Sequence, residues 1–126
     1  MIEQWLVPKL GTLQDLTGKV YPVAAPVGDT VPPFALYTLQ EETAQRDLDG
    51  DVVCYTAKIR VDLFCDDNDA LCVLAAQTEA ALCCQNEEWG KLYIFSADAC
   101  REDPAGFDLR LEVHVQTLAV TIRYWR

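Results

Sequence analysis

The clearest pattern in the chain is an alternation of apolar and polar residues from Tyr55 to Phe64, followed at once by a helical pattern. Successive strand side chains point to opposite faces of a sheet, so the alternation predicts a strand with one buried and one solvated face. The acidic run 66–69 supplies N-cap side chains and negative charge at the positive end of a helix dipole. The predicted helical stripe consists of Leu71, Leu74, Ala75, Thr78, Ala81 and Leu82. A strand covered by an amphipathic helix is therefore the predicted core unit.

The segment before this unit predicts another helix and a surface arm. Residues Ile2 to Leu16 have an amphipathic helical spacing that Pro8 and Gly11 interrupt. The helix is either kinked at Pro8 or begins there, since proline is tolerated in the first turn of a helix. The proline-rich stretch 19–33 is expected to cross the surface, with one short strand at residues 20–21.

A second strand and a long hairpin are predicted next. Residues 34–40 are apolar on both faces and rich in strand-forming types. Residues 41–51 are polar and acidic and end in Asp49-Gly50-Asp51. This pattern indicates the loop of a long β-hairpin that returns through Val52 into the core strand.

The C-terminal third predicts further strands. Residues 86–90 are typical of a turn, 92–95 of a strand, and 96–106 of a loop or a bulged continuation of that strand. Within 107–124 the alternation changes phase near Gln116, and either a β-bulge or a tight turn produces such a slip. We favour the bulge, because no Gly, Asn or Asp lies at the slip to form a two-residue hairpin.

Together these elements predict an α+β fold. The expected architecture is a single, mainly antiparallel β-sheet with a long hairpin and with helices packed on one face, in the order α-β-β-α-β-β. A length of 126 residues without a linker or an internal repeat predicts one domain spanning residues 1–126.

Charge and cysteine content exclude several classes of function. The net charge of −10 and the pI of about 4.3 argue against specific binding to nucleic acid or to anionic membranes. No apolar run approaches the roughly 18 to 20 residues of a membrane span, and the absence of a signal-peptide pattern predicts a reducing cytoplasm. The six cysteines lack a Cys-x-x-Cys spacing, so we predict neither disulfides nor a zinc site, and no cofactor.

The residues that could carry chemistry have simpler interpretations. Asp47, Asp49 and Asp51 resemble the opening of a calcium loop, but its sixth and twelfth positions hold valine and lysine. They are better interpreted as a solvated hairpin tip. The one histidine, His114, lies in an alternating strand pattern, where a solvated position is the simpler interpretation. The chain is therefore predicted not to be an enzyme.

An excess of apolar residues remains unexplained by these elements. Strands 34–40 and 118–124 are apolar on both faces or nearly so. Strands of this kind need a second partner for burial, which is either another layer of the same chain or a neighbouring subunit. The residue pattern leaves both possibilities open.

Four short motifs share their order and spacing with a known family. They are Lys19-Val-Tyr-Pro22, Ala25-Pro26, Pro33-Phe-Ala-Leu-Tyr37 and Ile59-Arg-Val-Asp-Leu-Phe64, the last followed by an alanine-rich helix. In these motifs the chain resembles the tail-completion, or tail-terminator, proteins of long-tailed, siphovirus-type phages. The resemblance covers Ile2 to Leu82 in element order and spacing, and the C-terminal strands agree in kind.

The resemblance implies a structural protein of a phage or prophage. Such a subunit assembles as a hexameric ring on the head-proximal end of the tail tube, where it stops tube polymerisation and joins the tail to the head. The implied partners are further copies of itself, the tail tube protein and a head-completion protein. The implied location is the host cytoplasm during assembly and then the head-tail junction of the virion. The family offers no catalytic residue.

Two groups of residues are candidates for the interfaces of such a ring. They are Arg46, Asp47, Asp49 and Asp51 of the hairpin tip, and Phe34, Leu36 and Tyr37 of the two-sided strand. The main alternative is a small α+β assembly or binding domain with no role in a phage. A cysteine-dependent or metal-dependent enzyme is the third class.

Overall fold

Within the described residues the fold is one β-sheet with two α-helices, and the predicted α+β class is confirmed. The computed structural model describes residues 2–13, 16–22, 32–102, 104–109 and 112–125. In chain order the elements are α1 (Glu3–Gly11), β1 (Val20–Pro22), β2 (Phe34–Arg46), β3 (Val52–Cys65), α2 (Asn68–Leu82), β4 (Cys84–Trp89), β5 (Leu92–Arg101), β6 (Gly106–Asp108) and β7 (Val113–Trp125).

The sheet is mixed, and the predicted chain order α-β-β-α-β-β is not confirmed, because the described chain has three strands before α2 and four after it. The strands lie in the order β1-β2-β3-β7-β5-β4, with β6 paired to β7. Strand β1 runs parallel to β2, with Val20 opposite Ala35, whereas the other pairs are antiparallel. Strand β4 occupies the stretch predicted as a turn. It lies at the end of the sheet, and an edge strand does not need the apolar alternation by which a strand is recognised.

Helix α2 forms as its sequence predicts. The Asp67 side chain caps the helix by accepting a hydrogen bond from the Asp69 amide, at 3.3 Å. The predicted stripe is buried apart from Ala81, which is half-buried. The buried Thr78 hydroxyl donates to the Leu74 carbonyl at 2.8 Å, so the one polar member of the stripe is satisfied within the helix.

Helix α1 is shorter than the amphipathic pattern suggests. It ends at Gly11 and holds Pro8 in its interior, so the alternative in which the helix begins at Pro8 is wrong. Pro8 is exposed, while Trp5, Leu6 and Leu10 are buried. The proline removes one backbone donor on the solvated side of the helix.

Both helices pack against the same face of the sheet, as predicted. Their buried residues share one core with alternate residues of β3 and β7. On this helix-covered face Ala57 lies opposite Ile122, and Ile59 lies opposite Val120. We call the other face, which includes Lys58 of β3, the open face.

A second, smaller cluster lies at one end of the open face. Phe34 stacks on Phe64 with ring centroids 4.6 Å apart and an interplanar angle of 11°. Leu36 and Val113 complete the buried set, and Tyr21 and Val115 pack against it. This cluster gives β2 its second apolar face.

The same cluster explains the change of phase in the last strand. Strand β7 pairs with β3 from His114 to Tyr124 without a register shift, so both the bulge and the turn near Gln116 are wrong. Val113 faces the second cluster, whereas Leu118 faces the main core. The apolar residues change face while the strand stays regular. The chain turns earlier, between β6 and β7, where Glu112 has φ +56°.

The long hairpin is more regular than predicted. Strand β2 continues to Arg46 and β3 begins at Val52, so the expected loop 41–51 shrinks to a turn at 47–51. Residues 39–51 are all exposed, and a strand with no buried face lacks the alternation that identifies a strand. We call residues 40–53 the hairpin arm. Strand β5 also extends, and the predicted bulged continuation is confirmed up to Arg101.

Candidate assembly interface

The tip of the hairpin arm, residues 46–51, is ordered by its own hydrogen bonds. Asp47 Oδ1 accepts from the backbone amides of Asp49 and Asp51, at 2.9 and 3.0 Å. Arg46 Nη1 donates to the Gly50 carbonyl at 2.9 Å. Gly50 has φ +86°, a left-handed conformation that glycine adopts at no steric cost. The tip therefore has a defined shape before it meets any partner.

The tip presents one apolar side chain between carboxylates. Leu48 is fully exposed. The carboxylates of Asp49 and Asp51 form no ion pair among the described residues. Among all the residues that the structure describes, no group of three or more His, Cys, Asp or Glu residues is arranged to hold a metal ion. The chemistry available at the tip is thus that of an apolar anchor flanked by free negative charge.

The other predicted interface residues do not join the tip. Phe34 is only 2% exposed and Leu36 is also buried, both in the second cluster. Tyr37 lies on the opposite face, half-buried against the main core. Phe34 and Arg46 are the two ends of β2, and its twelve residue steps span about 40 Å. The structure therefore separates the seven predicted residues into two distant groups.

Three aromatic residues that were not predicted form an exposed patch on the open face. Tyr93 of β5 lies opposite Trp125 of β7. The rings of Tyr93 and Phe95 meet edge to face, with centroids 5.1 Å apart. Phe95 is 38% exposed and Trp125 is 42% exposed, and the Trp125 ring also lies beside that of Tyr55, with centroids 6.3 Å apart. We call these three residues the aromatic patch. The sequence places Tyr93 and Phe95 on one side of a strand, but only the pairing of β5 with β7 brings Trp125 beside them.

Charged residues of both signs surround the aromatic patch. Arg123 is exposed, and its Nη2 approaches Gln45 Oε1 at 3.4 Å and Cys54 Sγ at 3.8 Å. Lys91 is exposed in the turn before β5, and Glu88 lies opposite Tyr93 across the β4–β5 pair. Among the described residues, two cations and one carboxylate therefore border the patch, in a chain whose net charge is −10.

A separate charged cluster fastens α1 to the edge of the sheet. Lys9 Nζ lies 2.7 Å from Glu87 Oε1 and about equally far from the rings of Trp5 and Trp89, at 6.0 and 5.8 Å. Burial alone raises the pKa of Glu87, but hydrogen bonds from Lys9 and Cys84 outweigh it, and the pKa falls below its ordinary value. Ion pairing and cation–π attraction thus act together here.

The thiol in this cluster is not poised for nucleophilic chemistry. Burial, and then the hydrogen bond to Glu87, raise the pKa of Cys84 to about 11. A thiol with that pKa stays protonated at neutral pH, and the thiolate is the reactive form. No disulfide links the six cysteines, all of which lie in described parts of the chain.

Comparison with known proteins gives a likeness of fold. Neither a protein-family model nor a curated protein sequence matches the chain. A solved chain from the virion of a native gene transfer agent particle has a similar structure, with a TM-score of 0.63 and 15% sequence identity. The match covers 91% of this chain and 83% of that chain. No described helix is long and apolar enough to cross a membrane.

Proposed function

We propose that this chain is a structural subunit of a phage or phage-like particle. In this role it forms a hexameric ring that caps the head-proximal end of the tail tube and joins the tail to the head-completion proteins. The observation that carries the proposal is the likeness of fold to the gene transfer agent virion chain over 91% of the present sequence. The resemblance of motifs to tail-terminator proteins supports the narrower role at the end of the tube.

The surface of the molecule fits such a role. The hairpin arm extends beyond the sheet, and its ordered tip carries free carboxylates. A net charge of −10 repels nucleic acid, so DNA can pass through a ring of these subunits without adhering. The partners are further copies, the tail tube protein and a head-completion protein, and no catalytic step is part of the proposal. The subunit is in the host cytoplasm during assembly and at the head-tail junction afterwards.

Deletion of the gene from the genome that encodes the particle tests this proposal. We expect electron micrographs to show tails of irregular length that are not joined to heads, and a plasmid copy of the gene to restore normal particles. Normal particles after deletion contradict the proposed function and favour an assembly or binding domain with no role in the virion.

A narrower test concerns the hairpin tip. The double variant Asp49→Lys, Asp51→Lys reverses the free charges and keeps Asp47, whose carboxylate orders the turn. We expect it to fold normally by circular dichroism and to impair the joining of tails to heads. A matched control is Asp66→Lys, which reverses an exposed charge before α2. Normal joining by the tip variant contradicts a role for the tip.

A further inference from the structure

We propose that the hairpin tip of one copy docks on the aromatic patch of a neighbouring copy. The inference deepens the proposed function, on which it rests, by naming a contact between subunits. The tip supplies the apolar side chain of Leu48 and the carboxylates of Asp49 and Asp51. The patch supplies the rings of Tyr93, Phe95 and Trp125, with Arg123 and Lys91 beside them.

The two surfaces are complementary in chemistry. Aromatic residues and arginine are the types that most often carry the energy of an interface, and they do so where an apolar anchor enters a desolvated pocket. Leu48 is fully exposed and Phe95 and Trp125 are partly exposed, so docking removes apolar surface from water on both sides. Carboxylates next to Leu48 meet cations next to the rings, which fixes the orientation of the contact.

The carboxylate at the border of the patch limits where the tip can lie. Glu88 stands beside Tyr93 on the β4 side, whereas Arg123 lies on β7, on the other side of Tyr93. Like charges repel, so the carboxylates of Asp49 and Asp51 are directed to the Arg123 side of the patch and away from Glu88.

The contact must join two different molecules. Tyr124 lies opposite Tyr55, so Trp125 ends β7 in the next row, level with Cys54. From Cys54 the hairpin arm runs three more residues to the turn at Asp51, which is roughly 10 Å of extended chain leading away from the patch. The tip cannot fold back onto its own patch. A contact between unlike surfaces of identical copies is heterologous, and its repetition closes a ring or builds an open filament.

The hairpin arm is held in place before docking. At its base, Tyr124 donates from its hydroxyl to Glu42 Oε1 at 2.6 Å, and the Cys54 thiol donates to Gln45 Oε1 at 2.9 Å. At its end, Asp47 orders the tip. A surface whose conformation is already fixed loses less entropy when it binds, which favours a stable contact from a small area.

Light scattering over a concentration series tests this contact in the full-length protein. We expect the mass of the wild type to rise from 14.1 kDa toward a multiple of it. Leu48→Ser and Phe95→Ser should each shift the rise to concentrations at least about tenfold higher. Val73→Ser is the matched control, because Val73 is an exposed apolar residue of α2, remote from both surfaces. It should leave the rise unchanged.

Charge exchange identifies the partners within the contact. Asp49→Lys with Asp51→Lys, and separately Lys91→Glu with Arg123→Glu, should each weaken association, and an equimolar mixture of the two variants should restore it in part. Each contact between the two variants then pairs opposite charges: the cationic tip of the first meets the anionic border of the second, or the unchanged tip of the second meets the unchanged border of the first. Restoration cannot arise from a general loss of folding in either variant, so it supports the contact directly.

The contrary outcomes are distinct from failure of the proposed function. A wild-type protein that stays monomeric at every concentration, or one whose association is unaffected by Leu48→Ser and Phe95→Ser, overturns this contact. Neither outcome alters the expected consequence of gene deletion, which depends only on whether the particle needs the subunit.

Discussion

The two faces of the sheet are built from the same strands, β3 and β7, and yet they differ in how burial is distributed along them. On the helix-covered face every alternate residue from Ala57 to Cys65 of β3 is buried. The open face changes character along its length: the second cluster lies at one end, charged residues such as Lys58 and Arg60 in the middle, and the aromatic patch at the other end. The helix-covered face is buried in the core of the chain, whereas the open face keeps exposed surface that is available for contacts.

The largest expected effect on stability comes from comparing two neighbouring residues of β7 that lie on opposite faces of the sheet. Ile122→Ala removes a fully buried side chain from the helix-covered face and should lower the free energy of unfolding by roughly 2 to 5 kcal/mol, because the packed helices cannot close the cavity. Thr121→Ala, on the exposed side of the same strand, should change it by less than about 0.5 kcal/mol. Urea denaturation followed by circular dichroism measures both. Similar losses in the two variants contradict the assignment of faces.

The second prediction compares the stability effects of a buried and an exposed phenylalanine, both on the open face. Phe64→Leu removes the stacking with Phe34 and should destabilise the protein by about 1 to 2 kcal/mol, since the ring pair adds to the burial. Phe95→Leu in the exposed aromatic patch should cost less than about 0.5 kcal/mol. Thermal unfolding of the two variants tests this difference. An equal loss indicates that the patch, too, contributes to the fold.

The third prediction concerns the edge where α1 meets β4. The ion pair of Glu87 with Lys9 is partly buried, and Glu87→Gln should lower the free energy of unfolding by roughly 0.5 to 1 kcal/mol at neutral pH. The pKa of Glu87 in the folded protein lies below its ordinary value of 4.5. The carboxylate therefore stabilises the fold fully above pH 4.5, and this contribution disappears as the pH falls through the lower, folded pKa.

Denaturation of the wild type and of Glu87→Gln at a series of pH values measures how the difference in their free energies of unfolding depends on pH. Glu88→Gln is the control, because Glu88 is exposed and forms no ion pair among the described residues. If the difference in unfolding free energy between the wild type and Glu87→Gln persists unchanged in acid, the electrostatic explanation is contradicted.

The smallest expected effect lies in the hairpin tip. Asp47→Ala removes the acceptor for two backbone amides, but the tip residues 46–51 are all exposed among the described parts of the chain. Global stability should change by less than about 0.5 kcal/mol, while amide hydrogen exchange at Asp49 and Asp51 becomes faster. The control Asp49→Ala keeps the Asp47 carboxylate that accepts from the Asp51 amide, and should leave the exchange of Asp51 unchanged. A large loss of global stability contradicts the view of the arm as an independent surface.

The sequence predicts what is local and misses what depends on pairing. The N-cap at Asp67 and the stripe of α2 follow from neighbouring residues, and so does the buried face of β3. Strand β4 and the outer half of β2 were missed because exposed and edge strands carry no apolar alternation. The regular β7 was misinterpreted because its apolar residues change from one face to the other, which a single sequence cannot distinguish from a bulge.

The candidate site divides in the same way. The acidic hairpin tip is visible in the residues of one segment. The aromatic patch brings together Tyr93, Phe95 and Trp125 across two strands, and nothing in the sequence states that those strands are neighbours. The strand 34–40 was predicted to be apolar on both faces, with its second burial partner left open, and the structure buries Phe34 and Leu36 inside the chain, in the second cluster.

The position of β7 has a consequence for how the protein is made. It lies between β3 and β5, and the ribosome produces it last of the described strands. Asp62 and Thr117, which share a hydrogen bond across β3 and β7, are 55 residues apart. Before β7 emerges, the β1–β2–β3 and β4–β5 parts of the sheet can form only separately, each with an unpaired edge where β7 belongs, and such edges invite wrong pairings. The pairing of β7 with β3 is therefore a late step that brings together residues far apart in the sequence, and we expect it to limit the folding rate.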